Sequence, residues 1–157
     1  RPIIVVTGHR ADAVTDALQG LEVSFVHNPD YAEGISTSVK SGIGALAADI
    51  DGAIVALGDM PELTSSHIDR LAAAFSPKDG RSIVVPVRHG RRGNPVLWGA
   101  QYFADMRGLA GDVGATHLMA THADAIVEVD LESDAVLADI DTPEALAALR
   151  QRSNTET

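Results

Sequence analysis

Gly52-Ala53-Ile54-Val55-Ala56-Leu57-Gly58-Asp59-Met60-Pro61 decides how the rest of the chain is read. The apolar run Ala53 to Leu57 stops at Gly58, and a carboxylate follows at once. An uninterrupted apolar run of this length reads as a strand covered on both faces, as in a parallel sheet. Gly58 permits a sharp exit or a close backbone approach, and Pro61 suits the first turn of a following helix. Asp59 is then expected at the carboxyl end of a central strand, where open α/β sheets take their ligands. A hard carboxylate there suits a Mg²⁺ ion carrying phosphates; an Asp capping a strand-to-helix turn is the competing reading.

The bulk properties agree with an α/β domain. The chain has 157 residues, 45% hydrophobic and only 4% aromatic, so its core is aliphatic. That suits parallel strands under Ala- and Leu-rich helices better than an aromatic β-sandwich. Twelve Lys and Arg against 22 Asp and Glu give a formal charge of −10, which disfavours nucleic acid as a partner. A small polyphosphate stays compatible if a cation neutralises it. The absence of cysteine removes disulfides and thiolate metal sites and fits a cytoplasmic setting. No apolar run approaches the roughly 18 residues of a membrane span, so no membrane is expected as a partner.

Along the chain, strands are expected at Ile3–Val6, Val23–Val26, 53–57, Ile83–Val87, Ala125–Val129 and Val136–Ala138. Helical periodicity lies between them, over 10–19, from Gly34 through Leu46, and over Ile68, Leu71, Ala72 and Phe75. Short helices are expected at 101–107 and 114–121. Thr64-Ser65-Ser66 offers N-caps for the third helix. Thr142 with Pro143 announces a last one. Arg88–Asn94, basic and bracketed by glycines, leads into Pro95–Trp98 as a β-hairpin. The fold class is a three-layer α/β, Rossmann-like arrangement, with a mostly parallel sheet, helices on both faces and a β-hairpin insertion.

Three clusters carry chemistry, each beside a plainer reading. Asp59 and the pair Asp139/Asp141 each follow a short apolar run and precede a proline, so the two turns can converge on one divalent cation or simply start helices. Gly34-Ile35-Ser36-Thr37-Ser38 offers hydroxyls and helix amides to an anion or to a base edge, or only caps a helix. Arg88, His89, Arg91 and Arg92, with Asn94, can clamp a phosphorylated acceptor or form a solvated tip. The histidines lack zinc spacing, and neither a nucleophile elbow nor a Walker or dinucleotide glycine motif occurs.

Ala56–Pro61, Arg92-Gly93-Asn94-Pro95-Val96-Leu97, Gly111-Asp112-Val113-Gly114-Ala115 and Asp139–Glu144, in that order, resemble the MobA-like nucleotidyltransferases. The likeness is to the branch that includes CTP:molybdopterin cytidylyltransferase. Asn28-Pro29 to Ser38 is similar to that family's NPxxxxGxxxS segment. The resemblance implies Mg²⁺-dependent transfer of a nucleotidyl group from a nucleoside triphosphate, CTP favoured, to a phosphorylated molybdopterin-type acceptor. GTP or another acceptor, and a non-catalytic nucleotide-binding accessory protein, are the alternatives. It further implies Asp59 as the catalytic metal ligand, with Asp141 or Asp139 beside it. Gly34, Ser36, Ser38, Gly58, Asp59 and Met60 would face the nucleotide, and Asn94, Pro95 and Asp112 the acceptor. A molybdoenzyme or a second copy of the chain is the macromolecular partner it allows.

One departure stands out. Nothing here matches the family's opening strand and LAAGxSxRxGxxK phosphate loop. Residues 1–151 are therefore expected to form a single domain lacking about one βα unit, some 30 residues, ahead of a polar tail at 152–157. A trimmed record of a longer protein is the expectation.

Overall fold

The computed structural model describes residues 2–110, 115–138, 140 and 142–155. The chain forms two compact units, Arg1–Ala53 with Trp98–Ala125, and Ile54–Leu97 with Ile126–Thr157. The division falls inside two strands, and each unit is described by itself.

The first unit opens with β1 (Ile4–Thr7), α1 (Ala11–Ala17) and β2 (Ser24–His27). β1 and β2 pair in parallel, Ile4 opposite Ser24 and Thr7 opposite His27. α2 (Ile35–Gly44) packs on β1 and on α4 (Phe103–Gly108), and α5 (Thr116–Thr121) follows. Ile43, Trp98, Tyr102, Phe103 and Met106 are buried here. The Trp98 and Tyr102 rings meet edge to face at 6.0 Å. The apolar side of α1 is not covered as its periodicity predicts: no residue of the helix is buried, and Val14 is exposed. Leu46 lies beyond the end of α2.

The second unit holds most of the larger sheet. Its strands are β3 (Gly52–Val55), β4 (Ile83–Arg88), β5 (Arg91–Arg92), β6 (Val96–Gly99) and β7 (Ile126–Asp130). The order is β3-β6-β4-β5, with β7 also paired to β4, in parallel, Ile83 opposite Ile126. β4 and β5 make the hairpin, Val87 opposite Arg92, so the expected hairpin exists but its return strand is Arg91–Arg92. α3 (Ser65–Ala74) covers this sheet and α6 (Pro143–Thr155) ends it. Leu71, Val84, Leu97, Leu131 and Val136 form the core, with Ile54, Leu63, Phe75 and Val129 around it. Continuous Ile and Val runs buried on both sides explain β4, as the sequence leads one to expect.

Several local expectations are corrected. β3 stops at Val55, is only half-buried, and stands at the end of the strand order, not at its centre. Pro61 does not start α3. A turn closed by the Leu63 amide on the Met60 carbonyl intervenes, and Thr64 is the N-cap. Val136–Ala138 is not a strand: Asp134–Val136 is a 3₁₀ turn, because the Ser133 hydroxyl accepts from the Ala135 amide and Leu137 bonds back to Asp134. α6 carries on through the expected polar tail as far as Thr155. No described helix is long and apolar enough to cross a membrane.

Candidate functional site

In the second unit the loop after β3 carries Gly58, Asp59 and Met60. Met60 is buried and anchors the loop. Gly58 has an ordinary backbone angle and open space where a side chain would stand, so neither strain nor a close approach demands glycine there. The Asp59 carbonyl oxygen accepts the Ile140 amide at 2.9 Å. The Asp59 Oδ1 atom is buried and has no hydrogen-bond partner among the described residues. A buried carboxylate oxygen left unpaired is costly unless something neutralises it. The expected capping role is not filled by Asp59. Thr64 caps α3, its hydroxyl accepting the His67 amide while His67 Nδ1 accepts the Thr64 amide.

Ile140 is fastened to the Asp59 loop by its amide, and Thr142 caps α6 by accepting the Ala145 amide at 3.2 Å. Asp139, Asp141 and Asp112 lie outside the described residues. Among the described residues no group of three or more His, Asp or Glu side chains is placed to hold a metal. The donor set that fits a hard cation is therefore the Asp59 carboxylate itself, an oxygen ligand of the type Mg²⁺ takes.

The Asn94–Pro95 bond is cis. The Asn94 amide donates to the Val136 carbonyl at 2.9 Å, and Pro95 is fully buried, so its ring shapes the chain without being offered to a ligand. Gly93 does require glycine: a Cβ would stand 2.0 Å from the Val136 carbonyl oxygen. The basic hairpin is largely tied to nearby carboxylates. Arg88 Nε lies 3.1 Å from Asp134 Oδ1, His89 Nε2 3.3 Å from the same oxygen, and Arg92 Nε 2.7 Å from Glu128 Oε1. These are partly exposed pairs, worth little for stability.

In the first unit the hydroxyl-rich segment forms the start of α2. Gly34 is its N-cap at φ 114, a conformation open to glycine, and no side chain caps the helix. Ser36 is fully buried, and its Oγ has no partner among the described residues. Asn28, 1% exposed, holds the segment: its Nδ2 donates to Thr37 Oγ1 at 2.8 Å and to Ser38 Oγ at 3.0 Å. The residues expected at the nucleotide thus divide between the units, Gly34, Ser36 and Ser38 in one and Gly58, Asp59 and Met60 in the other. Sequence reading placed Asn28 only in the NPxxxxGxxxS-like segment. An Asn just after a strand and eight residues before a run of hydroxyls is the signal that could have marked it.

Residues 1–126 match the MobA-like NTP transferase domain. Over 153 residues the chain is 30% identical to the molybdenum cofactor cytidylyltransferase of Escherichia coli strain K12, covering 96% of this chain and 74% of that protein. The fold is similar to that of a homologue of Mycobacterium tuberculosis Rv0371c from Mycobacterium sp. strain JC1, with a TM-score of 0.78 and 26% identity over 99% of this chain and 77% of that one. A nucleotidyl transferase from Methanothermobacter has the same fold at a TM-score of 0.82 and 24% identity, over 99% of this chain and 74% of its own. An α/β chain with these strands and loops, matched over most of its length, belongs to the MobA-like nucleotidyltransferase family.

Proposed function

We propose that the protein transfers a nucleotidyl group, CTP being the favoured donor, to a phosphorylated acceptor of the molybdopterin type, with Mg²⁺ as the cation. The observation that carries this reading is the buried, unpartnered Oδ1 of Asp59 in a loop fastened to Ile140. The name of the 30%-identical relative supports the choice of cytidylyl group and cofactor.

In the reaction an oxygen of the acceptor phosphate attacks the α-phosphorus of the triphosphate. The new P–O bond forms as the bond to the β-phosphate oxygen breaks, and pyrophosphate leaves. No covalent intermediate with the protein is needed, so its task is to position and to stabilise charge. Asp59 would hold the Mg²⁺, which would supply withdrawal of charge from the phosphoryl oxygens. Within the first unit, the uncapped start of α2, with its free amides and the Ser36 hydroxyl, is the kind of place that takes an anion.

The test is pyrophosphate release by the full-length protein with CTP, GTP, ATP or UTP, Mg²⁺ and a molybdopterin acceptor. Release with CTP that stops on chelation is expected. A protein that binds none of the four nucleotides is not a transferase of this kind.

A further inference from the structure

Asn28 ends β2, and its backbone amide donates to the Thr7 carbonyl at 2.7 Å. Its side chain is fully engaged. Oδ1 accepts the Asp30 amide at 3.0 Å, and Nδ2 donates both of its protons, to Thr37 Oγ1 and Ser38 Oγ. The direction of these last two bonds is fixed by chemistry, because a carboxamide nitrogen donates and never accepts. Both hydroxyls must therefore spend a lone pair on Asn28 and turn their own protons elsewhere. Thr37 turns its proton to the carbonyls of Asp30 and Gly34, at 3.0 and 2.9 Å. Among the described residues the one side-chain bond seen for the Ser38 hydroxyl is the one it accepts from Asn28. Ser38 is only partly buried, which leaves its proton free to be donated.

An amide that served only to cap α2 would present an oxygen to the free N–H groups of the first turn. Asn28 does the opposite. Its oxygen goes back to Asp30, its nitrogen fixes two hydroxyls, and the helix start stays uncapped beside the unpartnered Ser36 Oγ.

Resting on the transferase reading, we propose that Asn28 is a positioning residue that makes Ser38 an obligatory hydrogen-bond donor to an oxygen of the bound nucleoside triphosphate. The amide sets the polarity of the hydroxyl, and the hydroxyl reads the ligand. An Asp at position 28 has nearly the same shape and keeps the oxygen that holds Asp30, but it accepts from Ser38 and so consumes the proton.

The test measures nucleotide affinity by calorimetry on the full-length protein, with CTP, GTP, ATP or UTP and Mg²⁺, in the wild type, Asn28→Asp, Ser38→Ala and the double variant. Ser38→Ala and Asn28→Asp are each expected to weaken binding by on the order of tenfold, the loss of one hydrogen bond to a charged ligand. In the Ser38→Ala background Asn28→Asp is expected to add nothing. An equal further loss in both backgrounds would mean that the new charge simply repels the nucleotide, and would overturn the inference. So would wild-type affinity in Ser38→Ala, which decides the matter even if Asn28→Asp does not fold. A wild type that binds no nucleotide overturns the transferase reading as well, whereas wild-type binding with unchanged variants removes this inference alone.

Discussion

The Ile140 amide donates to the Asp59 carbonyl oxygen at 2.9 Å, joining two positions 81 residues apart in the sequence. This is a main-chain bond, so it fixes where the loop lies without using the Asp59 carboxylate. The side chain, with one buried oxygen unpaired, stays available for chemistry.

Asp59→Ala is expected to lose activity by on the order of a hundredfold or more, the scale seen when one pre-placed electrostatic group is removed. It is not expected to lower the melting temperature, because Oδ1 of the carboxylate it deletes has no hydrogen-bond partner among the described residues. Pyrophosphate release and a thermal melt on the same preparation check both halves. A large fall in melting temperature would make Asp59 a structural residue.

Ser36→Ala separates stability from binding in the same way. Deleting a buried hydroxyl with no partner should leave stability unchanged or raise it by about 1 kcal/mol, since a desolvation cost disappears. Nucleotide affinity is expected to fall. Urea denaturation with a parallel titration of CTP measures the two, and a destabilised variant with normal affinity would contradict the assignment.

Gly93→Ala is expected to cost on the order of 3 kcal/mol, the upper range for overpacking. The added methyl meets a backbone carbonyl of Val136, which cannot swing aside as a flexible side chain would. A drop in the urea midpoint at unchanged slope reports it. Gly58→Ala, with open space around the new methyl, is the control that should fold normally.

Asp79 on the surface responds to acid. The Ser76 hydroxyl, at 2.6 Å, holds its carboxyl below the usual range, helped by Arg81. A depressed folded-state pKa adds stability above the unfolded value, and that stability is lost as pH falls through the folded value. Asp79→Asn should therefore flatten part of the decline of melting temperature below about pH 4. The effect is small because the group is exposed. An identical acid profile in wild type and variant would rule it out.

Much of the fold was legible because its signals are local. Thr64 and Thr142 cap their helices as their sequence context predicts, since a hydroxyl before a helical run reaches an amide only a turn away. β4 was legible because its Ile and Val run is buried throughout. Val136–Ala138 was misread because three apolar residues fit a strand and a 3₁₀ turn equally, and the deciding bond comes from Ser133. β3 was misjudged as central because an apolar run says nothing about how many neighbours a strand has. At the site, Asp59 was legible as a carboxylate after a strand. Asn28 was not recognised, because its meaning lies in hydroxyls nine and ten residues away that only folding brings within reach.

Because the bond between Ile140 and Asp59 runs through main-chain groups, holding the loop in place makes no demand on either side chain. A chain linked in this way can change the group carried at position 59 while the loop keeps its place. A scaffold joined in this manner retools its chemistry cheaply: evolution edits the tools and leaves the toolholder clamped.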